Sequence, residues 1–161
     1  MGPQMKMFAL LLPLVFFNPV FAEVKQFNGF VTEVHDGDTL KFNSNKEVFK
    51  IRLAYIDAPE LDQLYGYASK TSLEQLTRDK RVEATCNGKD RYGRFLCTLQ
   101  VGTEDINAVQ VKRGMAWEYA HYAPKGSPLK ALQNEAMAAK RGLWAEPNPE
   151  APWNYRHNRK D

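Results

Sequence analysis

Apolar residues recur at every second position through much of the first half of this chain. In residues 47–57, Phe49, Ile51, Leu53 and Tyr55 fall on one face and Lys50, Arg52, Ala54 and Ile56 on the other. That is the period of an extended strand. Arg52 therefore leaves the face opposite the aromatic stripe. Similar patterns predict strands over residues 27–34, 39–43, 82–86 and 95–101, with turn signals at Asp36-Gly37, at 43–46 and at Asn87-Gly88. About five short strands favour a small closed barrel, since closure removes the unpaired edges.

Three later segments change to a helical period. Tyr65, Ala68, Ser72, Leu73 and Leu76 form one stripe. A second helix, from about Ile106 to Arg113, has Asp105 as its cap and Gly114 as its stop, and a third runs from Ser127 and Pro128 to Arg141-Gly142. From Leu143 onward the chain is rich in proline and basic residues and reads as an irregular tail, with Trp144 and Trp153 anchoring it to the body. The fold class expected is α+β, mainly β: a five-stranded barrel with three helices.

The N-terminus stands apart from this pattern. After Lys6 runs a short apolar segment, broken by Pro13 and Pro19 and ending in Val20-Phe21-Ala22. It is too short for a spanning helix of ~20 apolar residues, and it reads as a signal peptide of residues 1–22. Export to the periplasm or the medium, with no membrane attachment after cleavage, is the expectation. Loss of Lys6 lowers the net charge from +3 to +2. So small an excess does not by itself identify a polyanionic partner. The only cysteines, Cys86 and Cys97, flank turn-rich sequence between two predicted strands, where a disulfide can staple them. Two free, half-buried thiols are the alternative. Without spaced histidines the pair is not a zinc site.

The chemistry gathers at strand ends. Asp36 and Asp38 lie in "DGDT", Asp57 and Glu60 in "IDAPE", and Asp90, Arg91 and Arg94 in "DRYGR". Each alone fits an ordinary turn or helix start. Together on one barrel rim they would set three carboxylates beside Arg52 and Arg94. Carboxylates without a lysine among them call for a hard divalent cation, and Ca²⁺ accepts such oxygens along with carbonyls and water. Guanidinium groups pair with phosphate through a planar fork. A metal facing two such forks is a phosphodiester clamp, with Glu60 as base toward an attacking water.

The motifs "VHDGDTLKF", "IRLAYIDAPE" and "DRYGR", in this order and followed by "INAVQVKRGMAWEY", resemble the staphylococcal nuclease (thermonuclease) family from about Phe30 to Trp144. The resemblance implies an oligonucleotide-binding (OB-fold) barrel of five strands with three helices. It also implies Ca²⁺-dependent endonuclease hydrolysis of DNA and RNA, leaving a 3′-phosphate. Asp38 and Asp57 match the family's metal carboxylates, and Ala58 would lend its backbone carbonyl. Arg52 and Arg94 match the phosphate-contacting arginines, and Glu60 the acidic residue that serves as base or orders the water. Asp36 and Thr39 match a supporting shell, and Tyr92 and Tyr122 align with substrate-side tyrosines.

The chain departs from the type member in three places. Ala58 replaces a threonine, which a carbonyl ligand tolerates. The loop "LDQLYGYASK" is shorter and less basic, and a further tyrosine falls at Ala120, with Tyr119 beside it. His35, His121 and His157 have no matched role. The domain reading is a signal peptide at 1–22, a nuclease domain at 23–146 and a tail at 147–161. A monomer acting on nucleic acid, single strands preferred through tyrosine stacking, is the expected working form. A non-catalytic binding module on the same barrel is the rival reading; it should lack a metal carboxylate or an arginine, and none is missing.

Overall fold

The structure, a computed structural model, describes residues 24–159. The expected signal peptide lies outside the described residues. Strands β1 (Lys25–Val34), β2 (Thr39–Ser44) and β3 (Glu47–Leu53) form an antiparallel meander, and β4 (Ile56–Asp57) follows as a two-residue strand. After helix α1 (Gly66–Thr77) come β5 (Val82–Lys89), β6 (Phe95–Val101) and β7 (Glu104–Asp105). Helix α2 (Ile106–Lys112), strand β8 (Trp117–Glu118), helix α3 (Leu129–Ala138), a 3₁₀ turn (Gly142–Ala145) and helix α4 (Pro152–Asn158) complete the order.

The sheet runs β3-β2-β1-β5-β6-β7, and a parallel pairing of β3 with β6 closes it into a five-stranded barrel. Period-2 burial fills the interior: Leu40, Phe42, Ile51, Leu53 and Leus elsewhere on the inner face such as Leu99 have no exposed surface. Burying each such side chain contributes about 1.5–3 kcal/mol. Leu73 of α1 and Ile106 and Val111 of α2 join the same core.

Three expectations need correction. The alternation through residues 47–57 breaks at Tyr55, whose φ of 66° turns the chain, so Ala54 and Ile56 are buried as well as Leu53. Asn87-Gly88 is not the hairpin turn. Strand β5 continues past it through a bulge between Cys86 and Lys89, with Gly88 at a φ of 96°, and the chain reverses at residues 90–93, where Asp90 Oδ1 accepts the amides of Tyr92 and Arg94. Finally, the C-terminal segment is not irregular. It carries a fourth helix, α4, with Pro152 in its first turn, a position where the missing N–H has no helical partner to lose. Trp153 packs edge-on to Trp117 and stacks on Tyr119 with an interplanar angle of 12°.

Cys86 and Cys97 face each other across β5 and β6 and are bonded. The loop they close, 11 residues in sequence separation, suggests a contribution of about 3 kcal/mol from restriction of the unfolded chain. Reduction should therefore lower the urea midpoint by the equivalent of that figure. An unchanged midpoint under reductant would mean that barrel hydrogen bonding alone sets the stability.

Candidate active site

The site begins at the turn between β1 and β2. A Cβ at Gly37 would lie 1.8 Å from Ser69 Oγ and 2.7 Å from the Ala58 Cβ, so only glycine fits. Asp36 Oδ1 accepts the Asp38 amide at 2.9 Å, which fixes the turn. Beneath it, the buried amide of Gln110 on α2 donates to the carbonyls of Gly37 and Ser69. Asn107, one helical turn earlier, donates to the carbonyls of Ala54 and Cys97. These two α2 amides thus hold the turn and the β3 end from below, satisfying carbonyls that burial would otherwise leave unpaired.

Held in this way, Asp38 points inward. Its Oδ2 accepts the Ala58 amide at 2.6 Å and its Oδ1 the Thr39 hydroxyl at 3.1 Å. Asp57, on β4 and paired through the backbone with Trp117 on β8, has a side chain only 1% exposed. Arg52 joins the two carboxylates, with Nε 3.1 Å from Asp38 Oδ1 and Nη2 2.9 Å from Asp57 Oδ1. Its Nη1 donates to the carbonyls of Leu53 and Ile56. A guanidinium has five N–H donors. Most of those of Arg52 are therefore spent inside the protein, so Arg52 and Arg94 are not an equivalent pair.

Arg94 lies on the same rim because the parallel β3–β6 pairing sets Ile51 beside Phe95. Its Nε binds Asp90 Oδ2 at 2.7 Å, and Nη1 reaches the Thr39 hydroxyl at 3.4 Å. Desolvation pushes the Asp90 carboxyl up more than any one contact pulls it down, but the Arg94 side chain and the Arg94 and Tyr92 amides together hold it below the ordinary carboxylate range. Asp90 is thus a charged buttress for Arg94. Glu60 sits past the β4 end, its amide bonded to Gln63 Oε1. The carboxylates and the two arginines named here line one open cleft of about 1220 Å³. Tyr92 and Tyr122 line it too, and both rings are more than half exposed, an arrangement suited to stacking on a ligand.

Burial raises the pKa of Asp38 to about 7, against the pull of Arg52, and raises that of Asp57 against its bonds to arginine. Asp38 and Asp57 thus stand side by side out of water with Arg52 shared between them, a paired-carboxylate donor set of the kind a hard divalent cation takes. Among the described residues no group of three His, Cys, Asp or Glu side chains is arranged to hold a metal. The protein would offer two carboxylates and the Ala58 carbonyl, leaving the remaining positions to water or substrate oxygen, as Ca²⁺ tolerates.

One site residue has no counterpart among those read from sequence. Arg156 of α4 donates from Nη2 to Asp57 Oδ2 at 2.7 Å and from Nη1 to Glu60 Oε1 at 2.8 Å. The three prolines at 147, 149 and 152 make the segment look irregular. The signal that could have found it is Pro152 itself, which can open a helix and would then place Trp153 and Arg156 three residues apart on one face.

Residues 50–146 match the family described as staphylococcal nuclease homologue. A protein of Shigella flexneri named micrococcal nuclease is 36% identical over 145 residues, spanning 84% of this chain and 83% of its own. An uncharacterized endonuclease of Haemophilus influenzae is 42% identical over 132 residues, 81% of this chain and 73% of that protein. Another, from Escherichia coli O157:H7, is 38% identical over 158 residues, 96% of this chain and the whole of that protein.

Proposed function

This chain belongs to the staphylococcal nuclease family and is a phosphodiester-hydrolysing nuclease; from that premise we propose that it is an exported, Ca²⁺-dependent endonuclease acting on DNA and RNA. The observation that carries the finer reading is the single rim on which Arg52 bridges Asp38 and Asp57 while Arg94 reaches Thr39. Family membership and a relative named micrococcal nuclease support it.

Asp38, Asp57 and the Ala58 carbonyl would hold Ca²⁺, which when bound polarises the scissile phosphate and offsets the charge it gains. Asp36 and Thr39 keep that loop in shape. Glu60 draws a proton from the attacking water, or orders that water, through the carboxylate oxygen that Arg156 leaves open. Arg94 donates its two terminal nitrogens to the phosphoryl oxygens as five-coordinate charge develops, a stabilisation worth ~3–4 kcal/mol for one well-placed donor. Arg52 contributes its remaining donor and keeps the two aspartates in register. Tyr92 and Tyr122 stack on bases at ~1–3 kcal/mol each, which favours single strands.

No described helix is long and apolar enough to cross a membrane. The reading of residues 1–22 as a signal peptide puts the mature protein, from Glu23, in the periplasm or the medium as a monomer, its nuclease domain ending near residue 146. Incubation of residues 23–161 with single-stranded DNA, duplex DNA and RNA tests the activity. Cleavage should require Ca²⁺, stop on addition of a chelator, return with excess Ca²⁺ and run fastest on single strands. Cleavage indifferent to chelator would remove the metal from the mechanism.

A further inference from the structure

Helix α4 lies beyond the family match, which ends at residue 146, yet it reaches into the centre of the site. Among the described residues, the Arg156 side chain bonds two, Asp57 and Glu60. Its Nη1 and Nη2 engage both carboxylate oxygens of Asp57, and Nη1 also bonds Glu60. Asp57 Oδ1 is shared with Arg52, so guanidinium groups occupy both oxygens of this buried carboxylate. A fork on a carboxylate is the strongest form of ion pair a side chain makes, and this one is fixed at its other end. Trp153 is wedged against Trp117 and Tyr119, Gln63 donates to the Glu150 carbonyl ahead of the helix, and Arg159 pairs with Asp62 after it. The guanidinium is carried on a docked element, not on a loose tail.

We propose that Arg156 is a positioning residue supplied by α4, which holds Asp57 and Glu60 together in the cation-free site and competes with the divalent cation for Asp57. The inference rests on the reading that Asp38 and Asp57 hold a cation. A divalent ion on Asp57 brings its two positive charges against the Arg156 guanidinium and competes for the lone pairs that guanidinium groups already use, two on Oδ1 and one on Oδ2, so ion binding weakens at least one Arg156 contact. The affinity of the site is then set partly by how firmly α4 is docked. The released fork remains in the cleft, within reach of a substrate phosphate, and the bond to Glu60 can persist because it uses a different acceptor.

Calorimetric titration of the full mature chain with Ca²⁺ alone, without nucleic acid, tests this. Arg156→Ala should bind Ca²⁺ about tenfold or more tightly, and Arg156→Lys, which keeps the charge but loses the fork, should fall between it and the parent. Arg78→Ala, which removes an equal charge from the exposed end of α1, should change the affinity less than twofold. Melting temperature gives the second readout: Arg156→Ala should melt lower than the parent in chelator and gain more on adding Ca²⁺. Unchanged or weaker Ca²⁺ affinity in Arg156→Ala, with the parent binding normally, overturns the proposal alone. A parent chain that binds no Ca²⁺, or an Asp38→Asn variant that binds it undiminished, overturns the cation reading and this proposal with it.

Discussion

Arg94→Ala is expected to lower the turnover of single-stranded DNA by about 10²–10³-fold while leaving the fold intact. That is the cost of removing one preorganised donor to a developing oxyanion. The prediction is clean because Arg94 is held from one side. Its partner Asp90 would still accept the Tyr92 and Arg94 amides, so the loop should persist, and a part-exposed ion pair of this kind contributes no more than about 1 kcal/mol to stability. Arg94→Lys keeps the charge but not the fork and should recover little. Steady-state kinetics would place the loss mainly in kcat, since the interaction tightens only as charge builds on phosphorus. A variant retaining turnover within tenfold would take Arg94 out of the catalytic set.

The contrast between the two arginines marks where the sequence could be read and where it could not. Period-2 patterning located the barrel strands because one face of each is buried, and that constraint is written into every second residue. Asp38, Asp57, Glu60, Arg52 and Arg94 were visible as charged positions at strand ends. Their division of labour was not. It depends on which carbonyls the Tyr55 turn presents to Arg52, and on a parallel β3–β6 pairing between strands distant in sequence. Asn107 and Gln110 looked like polar residues on a helix, although both are almost fully buried beneath the site. Arg156 was hidden for a different reason: prolines at 147, 149 and 152 suggest an irregular tail, and tertiary contacts, Trp153 against Trp117 and Tyr119 among them, dock the segment as a helix.

Arg52→Ala should behave quite differently from Arg94→Ala, costing about 3–5 kcal/mol of stability in the cation-free protein as well as activity. Arg52 is largely buried, and its loss strips the ionic partner from Asp38 and one of two from Asp57. Breaking a buried pair from one side carries that cost because the remaining charge keeps its desolvation penalty without compensation. The Leu53 and Ile56 carbonyls would lose their donor too, at roughly 1–3 kcal/mol for a buried group left unpaired. Arg156 can still neutralise Asp57, but among the described residues Asp38 has no second guanidinium paired with it. Urea unfolding in chelator measures the loss, and Ca²⁺ should restore part of it by supplying positive charge to the same carboxylates. A loss below about 1 kcal/mol would be that of a surface pair; Arg52 would then be a solvent-facing phosphate ligand, not the link that holds Asp38 and Asp57 together.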